Sequence, residues 1–215
     1  QKAVAKMEVI IGDPDRLRAV AEDFIKHYET RVAEGATVAG KAMFVCSNRN
    51  IAYDFYKIVK ELRPEWTEKK ICDDGVVLSE KDKKELKPME KIKLVMTRNK
   101  DDEKDLFDML GTKEDRKEFD RQFKNPKSNF KIAIVVDMWL TGFDVPELDT
   151  IYIDKPIQQH TLIQTISRVN RVCEGKDKGL IVDYIGIKKN MNTALKKYTN
   201  FESEEFEGVE QSITI

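Results

Sequence analysis

Apolar residues recur along the chain in two rhythms. Leu17, Val20, Ala21, Phe24, Ile25, Tyr28 and Val32 are spaced by three and four, the period of an amphipathic helix, with Asp13 placed to cap it, Pro14 in its first turn and Gly35 near its end. Residues 42–46 instead form an unbroken apolar run before Ser47-Asn48-Arg49-Asn50, which predicts a strand buried on both faces. Helical spacing returns at Ile51, Phe55, Ile58, Val59 and Leu62 and stops at Arg63-Pro64. Further strands are expected at 92–97, 131–136, 150–153 and 179–184, with short helices at 101–110 and 113–123 and another at about 160–172. Thr112 and Asp115 stand three apart, the spacing of a capping box opening the second short helix.

Val/Ile-rich strands without polar alternation, separated by amphipathic helices, predict a mainly parallel sheet covered on both faces, a three-layer αβα sandwich. The interval 67–90 is polar and charged around Val76-Val77-Leu78 and reads as a surface insertion or a poorly ordered excursion. Beyond Ile187, helical spacing at Met191, Leu195 and Tyr198 gives way to an acidic stretch, so 1–187 is expected to be one domain and 188–215 a helical and acidic linker leading out of it. In parallel sheets ligands gather at the carboxyl ends of strands, which directs attention to the loops after Cys46, Thr97, Val136 and Ile153.

Charge narrows the choices. The 38 Lys and Arg balance 39 Asp and Glu for a net charge of -1, so nothing attracts nucleic acid or membrane globally, and any DNA contact has to be local. No stretch approaches the length of a spanning helix and the first residues do not read as a signal peptide, so a cytoplasmic location is expected. Cys46, Cys72 and Cys173 form no C-x-x-C pair and, with only His27 and His160 beside them, no metal site is expected.

Gly35-Ala-Thr-Val-Ala-Gly40-Lys41 has the spacing of a phosphate-binding loop, but Ala42 stands where a Mg²⁺-binding hydroxyl is needed, and the segment joins a helix to a strand rather than a strand to a helix. It reads as a flexible link. The stronger signal is Gln164-Thr-Ile-Ser-Arg168-Val-Asn-Arg171. Steps of four and three put Gln164, Arg168 and Arg171 on one helical stripe, with Leu162, Ile163, Ile166 and Val169 on the buried side. Two planar, permanently charged guanidinium groups on one ridge suit a triphosphate and the charge on a transferring phosphoryl group, though a solvated helix face would carry the same residues. Some twenty residues earlier a buried strand runs into Thr141-Gly142-Phe143-Asp144-Val145-Pro146, where Gly142 permits close backbone approach and Asp144 can accept from a ribose hydroxyl or orient an arginine.

Together the G-x-D loop and the Q-x-x-x-R-x-x-R helix resemble motifs V and VI of superfamily 2 helicases and translocases. The segments VVDMWLTGFDVPELDTIYIDKP, HTLIQTISRVNRV and GLIVDYIGI resemble more closely the second motor lobe of the restriction and translocation (R) subunit of type I restriction enzymes, with weaker likeness at DFIKHYETR and GKAMFVCSNR. Ser167 and Asn170 stand where many helicases carry glycines in motif VI, which fits the restriction family better than the RNA helicases.

The resemblance implies a RecA-like lobe. Arg168 and Arg171 would be arginine fingers, with Gln164, Gly142 and Asp144 on the nucleotide side. Ser47, Asn48 and Arg49, with Thr97 and Thr141, would face the DNA backbone. ATP and Mg²⁺ would be held mainly by a first motor lobe which, with an endonuclease domain, belongs to the same native chain; methyltransferase and specificity subunits would be the other partners, and double-stranded DNA the track. The chain is then expected to be a fragment, inactive alone. Two other readings stay open: a lobe of another superfamily 2 DNA helicase or remodeller, and a helicase-like binding module that does not hydrolyse nucleotide.

Overall fold

The computed structural model describes residues 2–140, 142–171, 173–176 and 178–186. Five strands, β1 (Lys41–Cys46), β2 (Ile92–Val95), β3 (Ile132–Val135), β4 (Leu148–Asp154) and β5 (Leu180–Asp183), form one sheet in the order β2-β3-β1-β4-β5. Every neighbouring pair is parallel. Each connection therefore crosses a face of the sheet: α1 (Lys2–Ile11) and α2 (Pro14–Ala33) precede β1, α3 (Arg49–Leu62) and α4 (Glu80–Glu85) lie between β1 and β2, α5 (Lys104–Leu110) and α6 (Lys113–Lys124) between β2 and β3, and α7 (Gln159–Val169) between β4 and β5, while β3 reaches β4 by a loop.

The pleat divides the core in two. Ala42, Phe44 and Cys46 join Ile132, Ile134 and Tyr152 against Phe24 of α2 and Phe55 of α3, whereas Met43 and Val45 join Ala133, Val135, Ile151 and Ile153 against Phe123 of α6 and Leu162, Ile166 and Val169 of α7. This is the expected three-layer sandwich. Phe24 sets its edge against Phe44 at 5.1 Å and Tyr152 at 4.7 Å, and Phe44 stacks on Phe55 at 3.9 Å, so aromatic geometry adds to area burial at the sheet's centre. Helix starts follow local chemistry: the Asp13 carboxylate accepts from the backbone N–H groups of Asp15 and Arg16, and the Thr112 hydroxyl accepts from Asp115 N–H while the Asp115 carboxylate accepts from Thr112 N–H at 2.7 Å.

Four expectations need correction. α1, whose Val9 and Ile10 remain exposed, shows no clean apolar stripe and was not anticipated. The first short helix begins at Lys104, because the Asp102 carboxylate ties back to Asn99 N–H and Arg49 instead of joining the helix. The helix expected to reach residue 172 ends at Val169. Its end is fixed from outside: a Cβ on Gly179 would collide with the side chain and carbonyl of Val169, so the approach to β5 closes tightly over this turn.

The interval 67–90, finally, is ordered. It is closed by an antiparallel bridge between Lys70 and Met89, buries Leu86 and Met89, and carries α4 on a Ser79/Asp82 capping box. Asn129 donates from its side chain to the Met89 carbonyl at 2.7 Å, and Lys127 pairs with Asp82 at 2.6 Å, fastening the interval to the loop before β3. Val77, the centre of its apolar run, is 88% exposed. The expected linker at 188–215 lies outside the described residues. Among the described residues no helix is long and apolar enough to cross a membrane.

The carboxyl end of β4 carries a buried charge. Asp154 is fully buried, and Arg16 grips both its oxygens, at 2.5 and 3.1 Å, while also donating to the carbonyls of Ile11 and Tyr184. Burial pushes the Asp154 carboxyl upward, Arg16 pulls it down, and neighbouring Asp183 adds to the upward push. A single salt bridge thus fastens the α1–α2 junction to the middle of the sheet. Arg16→Ala is expected to cost about 3–5 kcal/mol by stranding the carboxylate, whereas Arg16→Met with Asp154→Leu costs less; chemical denaturation of the two variants measures the difference.

Candidate functional site

Because the sheet is parallel, β1, β2, β3 and β4 deliver their loops to one edge, which holds four of the expected DNA-facing residues. Ser47 donates from its hydroxyl to the Asp154 carbonyl at 3.0 Å. Asn48 is the N-cap of α3, accepting from Ile51 N–H at 3.0 Å. Arg49 opens α3 and reaches across to the loop after β2, where it donates to the Thr97 carbonyl and grips Asp102 at 2.5 and 2.7 Å. Thr97 is exposed on that loop; Thr141 lies outside the described residues.

The nucleotide-side candidates occupy a different surface. α7 leaves the carboxyl end of β4 and returns to the start of β5, so it runs against the strands, and its later turns lie away from the carboxyl edge. Leu162, Thr165, Ile166 and Val169 face the sheet, while Gln164 is exposed and Arg168 is partly exposed. Asn170 caps the helix, so Arg171 stands just beyond it rather than one turn further along the stripe. Arg171 nevertheless meets a predicted partner: it pairs with Asp144 at 2.5 Å, linking the end of α7 to the G-x-D loop. That loop is shaped by Gly142, at φ 72° with open space where a side chain would project, and by Trp139, which adopts φ 67° and stacks flat on Phe143 at 4.1 Å. The sequence offered no direct sign of the Trp139 strain, only the W-x-x-x-F spacing.

Arg168 differs from its neighbours. It makes no ion pair or hydrogen bond with the described residues, and its Nε is buried without a partner. Among the described residues, then, one of the two ridge arginines is tied to an acid and the other keeps unmet donors. The charges on the remaining candidates are already spent within the fold. Lys41, last residue of the false phosphate loop, is likewise consumed internally: it is fully buried, donates to the Phe130 carbonyl at 2.5 Å, lies 5.1 Å from the Phe123 ring, and is pushed well down in pKa by burial. The 35–41 segment is the helix-to-strand link that its context predicts.

Comparison with known proteins decides the family. The model of type I restriction enzyme subunit R domain 3 matches residues 38–186, well over half of the chain. The chain belongs to the R subunits of type I restriction enzymes. It is 38% identical over 196 residues, 90% of its length, to the HindI endonuclease subunit of Haemophilus influenzae, and 38% identical over 201 residues, 93% of its length, to the MjaIXP endonuclease subunit of Methanocaldococcus jannaschii. It spans 17% of the length of each of these relatives. A fragment structure assigned to the HsdR subunit of a type I restriction enzyme from Vibrio vulnificus shares the fold, with a TM-score of 0.55 and 15% identity over 83% of this chain and 29% of that one. The G-x-D loop and the arginine helix both lie within the residues that this family model covers.

The exposed side of the ridge and the core beneath it should respond differently to substitution. Arg171 and Asp144 are 46% and 47% exposed, so replacing either with Ala should change stability by no more than about 1 kcal/mol. Leu162→Ala, beneath the same ridge, should cost about 2–5 kcal/mol through lost packing against the sheet. Urea denaturation compares the three variants directly.

Proposed function

We propose that this R-subunit domain works as the second motor lobe of an ATP-dependent double-stranded DNA translocase, supplying arginine fingers to a nucleotide held mainly by a first motor lobe of the same native chain. The observation that carries the reading is Arg168: a guanidinium fixed on a packed helix, with buried Nε unpartnered and no acid among the described residues to neutralise it. A protein surface gains little from such a group. An anionic ligand would complete it, and the delocalised charge of a transferring phosphoryl group is the ligand best matched to its planar donors.

The other residues take roles consistent with this. Arg171, held by Asp144, would approach the nucleotide from the end of the same ridge, while Gln164 and the open backbone at Gly142 border it. Mg²⁺, like the nucleotide, would be held mainly by the first lobe. Ser47, Asn48, Arg49 and Thr97 belong to strand-end loops that, with Thr141, would follow the DNA backbone without reading bases, sequence recognition falling to the specificity subunit and modification to the methyltransferase subunit. With only half of a nucleotide site, the chain alone turns over no ATP, and cleavage belongs to the endonuclease domain of the native chain.

In the complete R subunit, Arg168→Ala and Arg171→Ala should each reduce DNA-stimulated ATP hydrolysis by about 10³- to 10⁵-fold, far beyond the effect of losing a surface ion pair. A steady-state ATPase assay with and without duplex checks this. Turnover within a few-fold of the parent for both variants would reduce the ridge to a solvated helix face.

A further inference from the structure

Both terminal nitrogens of Arg49, on the carboxyl edge, already have partners. One terminal nitrogen donates to the Thr97 carbonyl and the other to both oxygens of Asp102. Asp102 is 7% exposed and also accepts from Asn99 N–H at 2.6 Å, so the acid closes the loop onto itself while the arginine ties that loop to the first turn of α3. A DNA phosphate taking the nitrogen that faces Asp102 would have to displace a carboxylate that it holds by both oxygens and that is only 7% exposed. Between the two anchoring points the chain reads Thr97-Arg98-Asn99-Lys100, with Thr97, Asn99 and Lys100 exposed and Arg98 laid over the Phe107 ring at 4.3 Å. The clamp thus holds up a short polar loop in which exposed Lys100 is followed by exposed Asp101.

Resting on the reading of this edge as DNA-facing, we propose that Arg49 is a positioning residue rather than a phosphate ligand: with Asp102 it forms a clamp that presents Thr97, Asn99 and Lys100 to the phosphates of the DNA backbone. Asp102, an acid on a DNA-facing edge, is then required for DNA binding. Simple electrostatics gives the opposite sign, because removing an acid near a polyanion strengthens attraction. The sign of the Asp102→Asn effect therefore separates the two arrangements.

The test uses the complete R subunit and a non-specific DNA duplex, measuring affinity over a range of salt concentrations, with amide hydrogen exchange of the 96–103 loop in the DNA-free protein. The clamp predicts that Asp102→Asn speeds exchange in the loop and weakens DNA binding several-fold. The exchanged pair Arg49→Asp with Asp102→Arg recovers most of both, and Lys100→Ala lowers the slope of log affinity against log salt by about one. If Asp102→Asn binds DNA more tightly while Arg49→Gln lowers the salt slope by about one, Arg49 touches phosphate itself and the clamp role is wrong although the edge still binds DNA. If loop exchange rises in Asp102→Asn yet this variant, Arg49→Gln and Lys100→Ala all bind DNA as the parent does, the DNA reading of the edge fails and the proposal falls with it.

Discussion

Five strands running in one direction leave no place for hairpins. Each return must cross a face of the sheet, and that requirement arranges the rest of the molecule. It makes β1, β3 and β4 apolar on both sides, collects the loops after Cys46, Val95, Val135 and Asp154 on one edge, and sends α7 back along the opposite direction with its outer stripe turned away from the core. The two candidate surfaces are separate for this reason. Strand ends hold Ser47, Asn48, Arg49 and Thr97, whereas the outer side of a covering helix holds Gln164 and Arg168. In the proposed role, a lobe facing a track and a neighbouring lobe at once would use two surfaces set by one rigid sheet.

Charge is handled differently at the two surfaces. On the strand-end edge it is paired inward: Arg16 with Asp154, Arg49 with Asp102, and Lys155 with Asp137. These pairs convert loops into fixed shapes at the cost of using up their cations. On the helix ridge Arg168 is left without a protein partner among the described residues, and Arg171 has one that is nearly half exposed. An exposed pair of this kind contributes little to stability and can reorganise readily, which would suit the proposed role of meeting a ligand carried by another domain.

Much of this was legible in the sequence, for physical reasons that differ by element. Continuous apolar runs gave away the strands because both faces are buried, and Asp13-Pro14 and Thr112/Asp115 marked helix starts because caps are local chemistry. The same logic could have found α4, since Ser79 and Asp82 have the spacing of a capping box, but the surrounding charge masked it. What lay beyond reading was set by distant partners. The end of α7 depends on Gly179, and the burial of Asp154 depends on Arg16, 138 residues away. The commitment of Arg49 to Asp102 likewise crosses 53 residues, so the sequence showed a basic loop but not that its charge was occupied.

The proposed role of Arg168 depends on where its guanidinium sits when nucleotide and DNA are bound. A structure of the complete R subunit with duplex DNA and a non-hydrolysable ATP analogue measures this directly. The account predicts Arg168 donating to an oxygen of the terminal phosphate at hydrogen-bonding distance, about 2.7–2.9 Å, with the Arg171–Asp144 side of the ridge facing the same nucleotide. A ridge turned to solvent, with the terminal phosphate coordinated wholly by residues of another domain, would contradict it.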